Sequence, residues 1–239
     1  MQDACAPYCP VEEYPVTFQV GMVGIDGVLL ASDKLVTEAP INEQSVRQTY
    51  LSDKITVLDE ENLAYCWAGD DLCDSLCNRV RSELKKSPER DFKDQLIECG
   101  QLELQTKRRA PDGRELKGGV IFFVRRFPSG VELWKLSTNT SPLANLIRDK
   151  TYAGDPTNAA RFFVEYYFPS ERLRPIRQLI HLAAHSVLMA AKLNTGVRGL
   201  EMALCAHTKF EKLTDTRESL QLSGDLDRHI ADILCPLTA

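Results

Sequence analysis

Four residues in the first third of the chain have side chains or amides that can open a peptide bond: Thr17, Asp33, Lys54 and Gly69. They supply one hydroxyl, one carboxylate, one ammonium and one backbone N–H. A hydroxyl is a poor nucleophile until a base takes its proton. A threonine at the head of a chain carries such a base in its own α-amine, whose ordinary pKa of about 7.7 to 8.0 suits work near neutral pH without a histidine. Thr17 has Val16 before it, so it gains that amine only if the chain is cut between the two.

The elements around these residues must place them together. Thr17 to Val23 is apolar and partly β-branched, Asp26-Gly27 is the signal for a type I′ turn, and Val28 to Ala31 returns as a buried strand that ends at Ser32-Asp33. Residues 36–52 are polar and read as loop. Lys54 to Leu58 and Leu63 to Ala68 form a second hairpin about the turn Asp59-Glu60-Glu61-Asn62. Asp70 or Asp71 then caps a helix with Leu72, Leu76, Val80 and Leu84 on one stripe. Ser87-Pro88 is read as the cap and first residue of a second helix, carrying Phe92, Leu96 and Ile97 and running to about Thr106.

A third hairpin joins Gly119 to Val124 with Val131 to Leu136 through Pro128-Ser129-Gly130, and a short strand is expected near Thr151 to Gly154. A second helix pair spans about Thr157 to Phe168 and Pro175 to Lys192. Two strands follow, around Leu200 to Ala206 and Lys209 to Leu213. Runs of strands alternating with helix pairs suit antiparallel sheets packed face to face with helices outside, and not the strict alternation of a doubly wound fold. The expected class is α+β, a four-layer αββα sandwich. The expected division is an extension or propeptide over 1–16, one domain over 17–213 and a helical tail over 214–239, in which Leu226, Ile230 and Ile233 share a face.

Composition narrows the function. Of 239 residues, 44% are hydrophobic and 26% charged, which supports one substantial core. A net charge of −5 argues against a general nucleic-acid binder, and the short clusters Lys107-Arg108-Arg109 and Arg125-Arg126 read as solvated surface. No apolar run of about 18 residues could span a bilayer, and residues 1–7 lack the regions of a signal peptide, so the cytoplasm is the expected compartment. Most of the eight cysteines read as reduced, buried small residues; Cys5 and Cys9 fit no strong zinc spacing. His181 and His185 lie one helical turn apart but lack the glutamate of a zinc-peptidase helix, so they read as packing or surface residues. Neither a metal nor a cofactor is expected.

In motif and order, the chain resembles the proteasome family of N-terminal-nucleophile (Ntn) hydrolases. The resemblance rests on Gly27-Val28-Leu29-Leu30-Ala31-Ser32-Asp33, on Asp53-Lys54-Ile55 leading to Ala68-Gly69, and on the helix pairs, over roughly 17–213. It implies an αββα fold, assembly into homo-oligomeric rings and a threonine that becomes catalytic once its α-amine is exposed. Counting back from Gly27 without a gap puts the family's nucleophile at Thr17, and its carboxylate and lysine match Asp33 and Lys54. On this resemblance Lys54 keeps the amine neutral, Asp33 holds Lys54, and the Gly69 N–H donates to the oxyanion of the tetrahedral intermediate.

The second half departs from the family pattern. Asp155 stands where a supporting serine is expected, Thr195 keeps a hydroxyl at the later serine-glycine turn, and Lys192 lies near an expected aspartate. Val16 stands where the family usually has glycine, and Trp67 lies near its specificity pocket or in the core. Three functions stay open. The first is a threonine-type endopeptidase acting on peptides or proteins; the second is a non-catalytic subunit that builds or gates a ring. The third is an Ntn amidohydrolase of small substrates.

Overall fold

The computed structural model describes residues 17–38, 48–107, 109, 113, 115–138, 141–154, 158–166 and 174–213. The expected extension over 1–16, with Cys5 and Cys9, and the expected tail over 214–239 lie outside the described residues, as does Asp155.

Strands β1 (Phe18–Gly24) and β2 (Gly27–Ser32) form the first hairpin, paired from Gln19 opposite Ser32 to Gly24 opposite Gly27. Its turn differs from the expected type I′: the central residues are Ile25 and Asp26, and Asn62 alone among described non-glycine residues has positive φ. A Cβ on Gly27 would lie 2.3 Å from the Cys205 carbonyl oxygen, and its φ of +156° is one that L side chains rarely adopt, so close backbone approach and backbone conformation together select the glycine. The Asp26 carboxylate accepts a hydrogen bond from the Ile176 N–H at 2.8 Å and so ties the turn to the start of a helix.

The region expected to be loop holds β3 (Leu35–Glu38) and β4 (Gln48–Leu51), which form a separate two-stranded antiparallel ribbon. Beyond it come β5 (Ile55–Leu58) and β6 (Leu63–Gly69), joined by a 3-10 turn at Asp59–Glu61 that Asn62 closes at φ 55°. Asn tolerates this left-handed conformation better than a branched residue. Helix α1 (Asp71–Lys86) is capped by Asp70, whose side chain accepts from the Leu72 N–H at 3.0 Å. Helix α2 (Phe92–Thr106) starts four residues later than Pro88, with Asp91 as its cap. Ser87 is used elsewhere: its N–H closes α1 on the Glu83 carbonyl, and its own carbonyl accepts from Gln95.

Strands β7 (Gly119–Phe127) and β8 (Gly130–Ser137) are longer than expected, and an unforeseen edge strand, β9 (Leu143–Ile147), follows them. Then come β10 (Lys150–Gly154), α3 (Ala160–Tyr166), α4 (Ile176–Leu193), β11 (Glu201–Ala206) and β12 (Phe210–Leu213). Two five-stranded antiparallel sheets result, ordered β10-β1-β2-β11-β12 and β5-β6-β7-β8-β9. The protein is a mixed α/β fold of antiparallel sheets with four helices among the described residues.

Three apolar clusters hold these parts together. Leu179, Ala183 and Val187 of α4 pack with Phe18, Val20 and Leu29 of the first sheet. Leu76 and Val80 of α1 and Phe92 and Leu96 of α2 pack with Leu63, Ile121 and Phe123 of the second. Val28, Leu30, Ala203 and Cys205 from the first sheet meet Ala64, Cys66, Phe122 and Leu133 from the second in the remaining cluster. Alternation along β6 divides its side chains between two clusters: Ala64 and Cys66 face the other sheet, while Leu63 and Tyr65 face α1 and α2. Each fully buried aliphatic side chain contributes about 1.5–3 kcal/mol relative to exposure.

Arg125 and Arg126 are half-buried and not the solvated cluster expected. The Arg125 guanidinium lies 4.9 and 4.7 Å from the ring centres of Phe92 and Phe127, and Arg126 pairs with Asp59 at 3.0 Å. Cys66, Cys73, Cys77, Cys99 and Cys205 are buried free thiols, with burial raising their pKa. No described helix is long and apolar enough to cross a membrane.

Glu61 anchors α1 to the β5–β6 turn by hydrogen-bonding Arg81 and pairing with Lys85 at 3.1 Å. Its hydrogen bonds to Arg81 pull its pKa down from 4.5 to about 2, against a weaker opposing effect of burial. The folded-state pKa is depressed, so this stabilisation is present above pH 4.5 and is lost as pH falls towards 2. Glu61→Gln is expected to flatten the dependence of Tm on pH across that window and to leave the dependence above pH 5 unchanged, as thermal melts in a pH series will show.

Candidate active site

The first hairpin explains why Thr17 and Asp33, distant in sequence, meet in space. Antiparallel pairing sets the start of β1 beside the end of β2, and Thr17 and Asp33 are the residues immediately outside those ends. The Asp33 N–H donates to the Phe18 carbonyl at 3.1 Å, which extends the pairing to the site itself. Lys54 enters from the other sheet, one residue before β5.

The Lys54 ammonium donates to Thr17 Oγ1 at 3.2 Å and to Asp33 Oδ1 and Oδ2 at 3.0 and 2.9 Å. Asp33 is fully buried and accepts two further bonds, from the Phe18 N–H at 3.0 Å and the Leu35 N–H at 3.1 Å. Four hydrogen bonds from three donor groups fix the carboxylate in position and leave no room for it to turn. Burial pushes the Asp33 carboxyl above its ordinary pKa, while the charge and hydrogen bonds of Lys54 restrain the rise. Burial likewise lowers the Lys54 pKa, and Asp33 restrains the fall. The ammonium beside the Thr17 hydroxyl therefore gives up its proton more readily than a free lysine does.

Gly69 ends β6 opposite Gly119, next to the cap residue of α1. A Cβ there would lie 2.6 Å from the Gly118 carbonyl oxygen and 2.7 Å from Cys73 Sγ, so the backbone can occupy this junction only without a side chain. The Asp70 carboxylate fixes the same junction by accepting from the N–H groups of Lys117 and Gly118 at 2.7 and 3.0 Å. Gly154 is equally constrained. It pairs with Phe18 at φ +121°, and a Cβ would lie 1.6 Å from the Thr17 carbonyl oxygen, so its bare backbone seats Thr17.

The remaining residues singled out in the sequence are not part of this group. Thr195 is exposed in the turn after α4 and takes no part in the hydrogen bonds of Thr17, Asp33 and Lys54. Lys192 is exposed at the end of α4. The Trp67 side chain packs with the α1–α2 cluster, on the face of β6 turned away from the other sheet, which resolves its role as core. His185 is buried edge-on against Phe163, with ring centres 4.9 Å apart.

Two contacts escaped the sequence. Gln19, fully buried on β1, donates from Nε2 to the Trp67 carbonyl and so joins the strand of Thr17 to the strand of Gly69. Glu201, at the start of β11, accepts from the N–H groups of Lys54 and Ile55 at 2.7 and 3.1 Å. All three bonds join a side chain to a distant main chain, and no residue spacing announces such a contact.

No family model and no curated protein matches the chain. Among solved structures it is similar to Anbu (ancestral beta-subunit) from Yersinia bercovieri, with 12% sequence identity, a TM-score of 0.64, and coverage of 92% of this chain and 96% of that one. At that identity the likeness shows a shared, proteasome-like fold.

Proposed function

We propose that the chain is a proteasome-like Ntn hydrolase subunit, a threonine-type endopeptidase that frees Thr17 by cutting its own chain after Val16. One observation carries this reading: the Thr17 hydroxyl, the Lys54 ammonium and the Asp33 carboxylate form a continuous hydrogen-bonded line built from two sheets. In this reading the liberated α-amine takes the hydroxyl proton, and Thr17 Oγ attacks the substrate carbonyl carbon. The Gly69 N–H donates to the oxyanion. The leaving amine then takes the proton as the C–N bond breaks, and water hydrolyses the resulting ester. One oxyanion donor of this kind is worth about 2.7–4 kcal/mol of transition-state stabilisation.

The three apolar clusters support the finer assignment of the fold as a four-layer αββα sandwich, since each joins a different pair of adjacent layers. The likeness to a protein described as a beta-subunit supports reading this chain as one subunit of an assembly; a homo-oligomeric ring, a cytoplasmic location and peptide or protein substrates belong to the same proposal. A second reading, a non-catalytic ring-forming subunit, is favoured by Lys192 and by Thr195 lying outside the hydrogen-bonded group.

Mass spectrometry separates the readings. The intact mass of purified protein is expected to show loss of residues 1–16, and the native mass is expected to be a multiple of one processed subunit. A chain that keeps Val16 joined to Thr17 under all assembly conditions sinks self-cleavage and favours the scaffold. A strictly monomeric particle sinks the ring.

A further inference from the structure

We infer that Glu201 is a positioning residue for Lys54: it clamps the main chain at the start of β5 so that the ammonium stays between Thr17 and Asp33. The inference rests on the reading of Lys54 as part of the catalytic group. The ladder between β5 and β6 begins at Ile55 opposite Cys66, which leaves the Lys54 N–H beyond its end. Glu201 accepts that N–H and the next one on a single oxygen, Oε2, from a position 4% exposed. A buried N–H without an acceptor is costly, and a carboxylate is a stronger acceptor than a carbonyl.

The origin of the clamp matters as much as its strength. Glu201 pairs with Ser32 in the ladder between β11 and β2, so the backbone that carries the clamp is registered directly beside Asp33. One unit, the adjoining strand ends of β1, β2 and β11 at the centre of the first sheet, therefore sets Thr17, Asp33 and the acceptor for Lys54. The second sheet is held to it at the residue whose side chain must reach across. The other Glu201 oxygen pairs with Lys212, which also bonds Asp53 at 3.0 Å, and Asp53 pairs with Lys34 at 2.7 Å. This ion chain runs behind the site through the residues that follow Asp33 and precede Lys54.

The groups facing the Lys54 ammonium are Thr17, Asp33, Cys66 and Glu201. Glu201 thus adds a second negative charge near the ammonium, which favours the protonated lysine. Lys212, Asp53 and Lys34 lie successively further out along the ion chain.

Two measurements on the full chain test the clamp, and the first does not depend on hydrolysis. Hydrogen exchange of the Lys54 and Ile55 amides is expected to quicken by tenfold or more in Glu201→Ala and to stay near wild type in Glu201→Gln, whose amide oxygen still accepts. With a peptide substrate, Glu201→Ala is expected to lose about 10- to 100-fold in kcat with KM little changed, the loss that misplacement by about an ångström produces, and Glu201→Gln is expected to recover most of it. Lys212→Met, which leaves the acceptor in place, controls for general loosening of the ion chain and is expected to keep both exchange and kcat within about threefold of wild type. Should Glu201→Ala misfold, Glu201→Asp, too short to reach both N–H groups, takes its place with the same expectation. Unchanged exchange at residues 54 and 55 in the shortened variants overturns the clamp, as does a Glu201→Gln protein as slow as Glu201→Ala. A wild-type protein without hydrolytic activity sinks the proposed function, and the exchange arm still decides whether Glu201 holds Lys54.

Discussion

Thr17→Ala is expected to abolish peptide hydrolysis, by at least about 10³-fold, and to leave residues 1–16 attached. Removing the nucleophile removes the covalent route, and what remains is whatever binding and oxyanion stabilisation achieve with water. The same hydroxyl performs both reactions in this reading, so processing and turnover must fail together. Folding must not. Thr17 Oγ1 accepts one hydrogen bond, from Lys54, and the loss of such a bond costs about 1 kcal/mol or somewhat more for a charged donor. For a chain of this length that lowers Tm by about 2–4 °C per kcal/mol. Thr17→Ser keeps the hydroxyl and is expected to keep both reactions in part. Intact mass, a peptide-hydrolysis assay and a thermal melt on each variant check the set. A Thr17→Ala protein that still matures or still cleaves places the nucleophile elsewhere.

The hairpin that delivers Thr17 and Asp33 was legible because a short apolar run bounded by turn residues suits a buried strand, and β2 is buried along its whole length. Its turn was not, since Asp26-Gly27 looks like a turn dipeptide while Gly27 is in fact required by the carbonyl of Cys205, a contact 178 residues away in sequence. The ribbon of β3 and β4 left no alternating pattern to read: Tyr50 and Leu51 are successive residues on opposite sides of a strand, and both are exposed. Edge strand β9 was missed for a related reason, with Leu143 exposed at its start and Ala144 buried next to it. At the site, Asp33 and Lys54 stood out because their chemistry is carried by side-chain type and by position at strand ends. Glu201 and Gln19 did not, because each acts on a main-chain atom that every residue possesses.

Breaking the Asp33–Lys54 pair is expected to cost more stability than removing it, while both have the same consequence for activity. Asp33 is fully buried and the Lys54 side chain is 10% exposed, so Asp33→Ala leaves an ammonium in a site that water barely reaches, together with two main-chain N–H groups that lose their acceptor. Loss of one partner of a buried pair costs about 3–5 kcal/mol, which corresponds to roughly 6–20 °C in Tm for a chain of this size. Asp33→Asn retains acceptors for the N–H groups and is expected to lose less. Changing both residues, as Asp33→Asn with Lys54→Met, removes the stranded charge and is expected to restore much of the stability, since the penalty of a broken pair comes from the ion left behind. Peptide hydrolysis should not return, because the double variant has neither the ammonium beside Thr17 nor the charge that held it, and the fall in kcat is expected to be about 10²- to 10⁴-fold in every variant of the set. Melting temperatures and kcat measured on the three proteins therefore separate a catalytic pair from a structural one: a double variant that regains activity along with stability would show that Lys54 and Asp33 serve the fold alone.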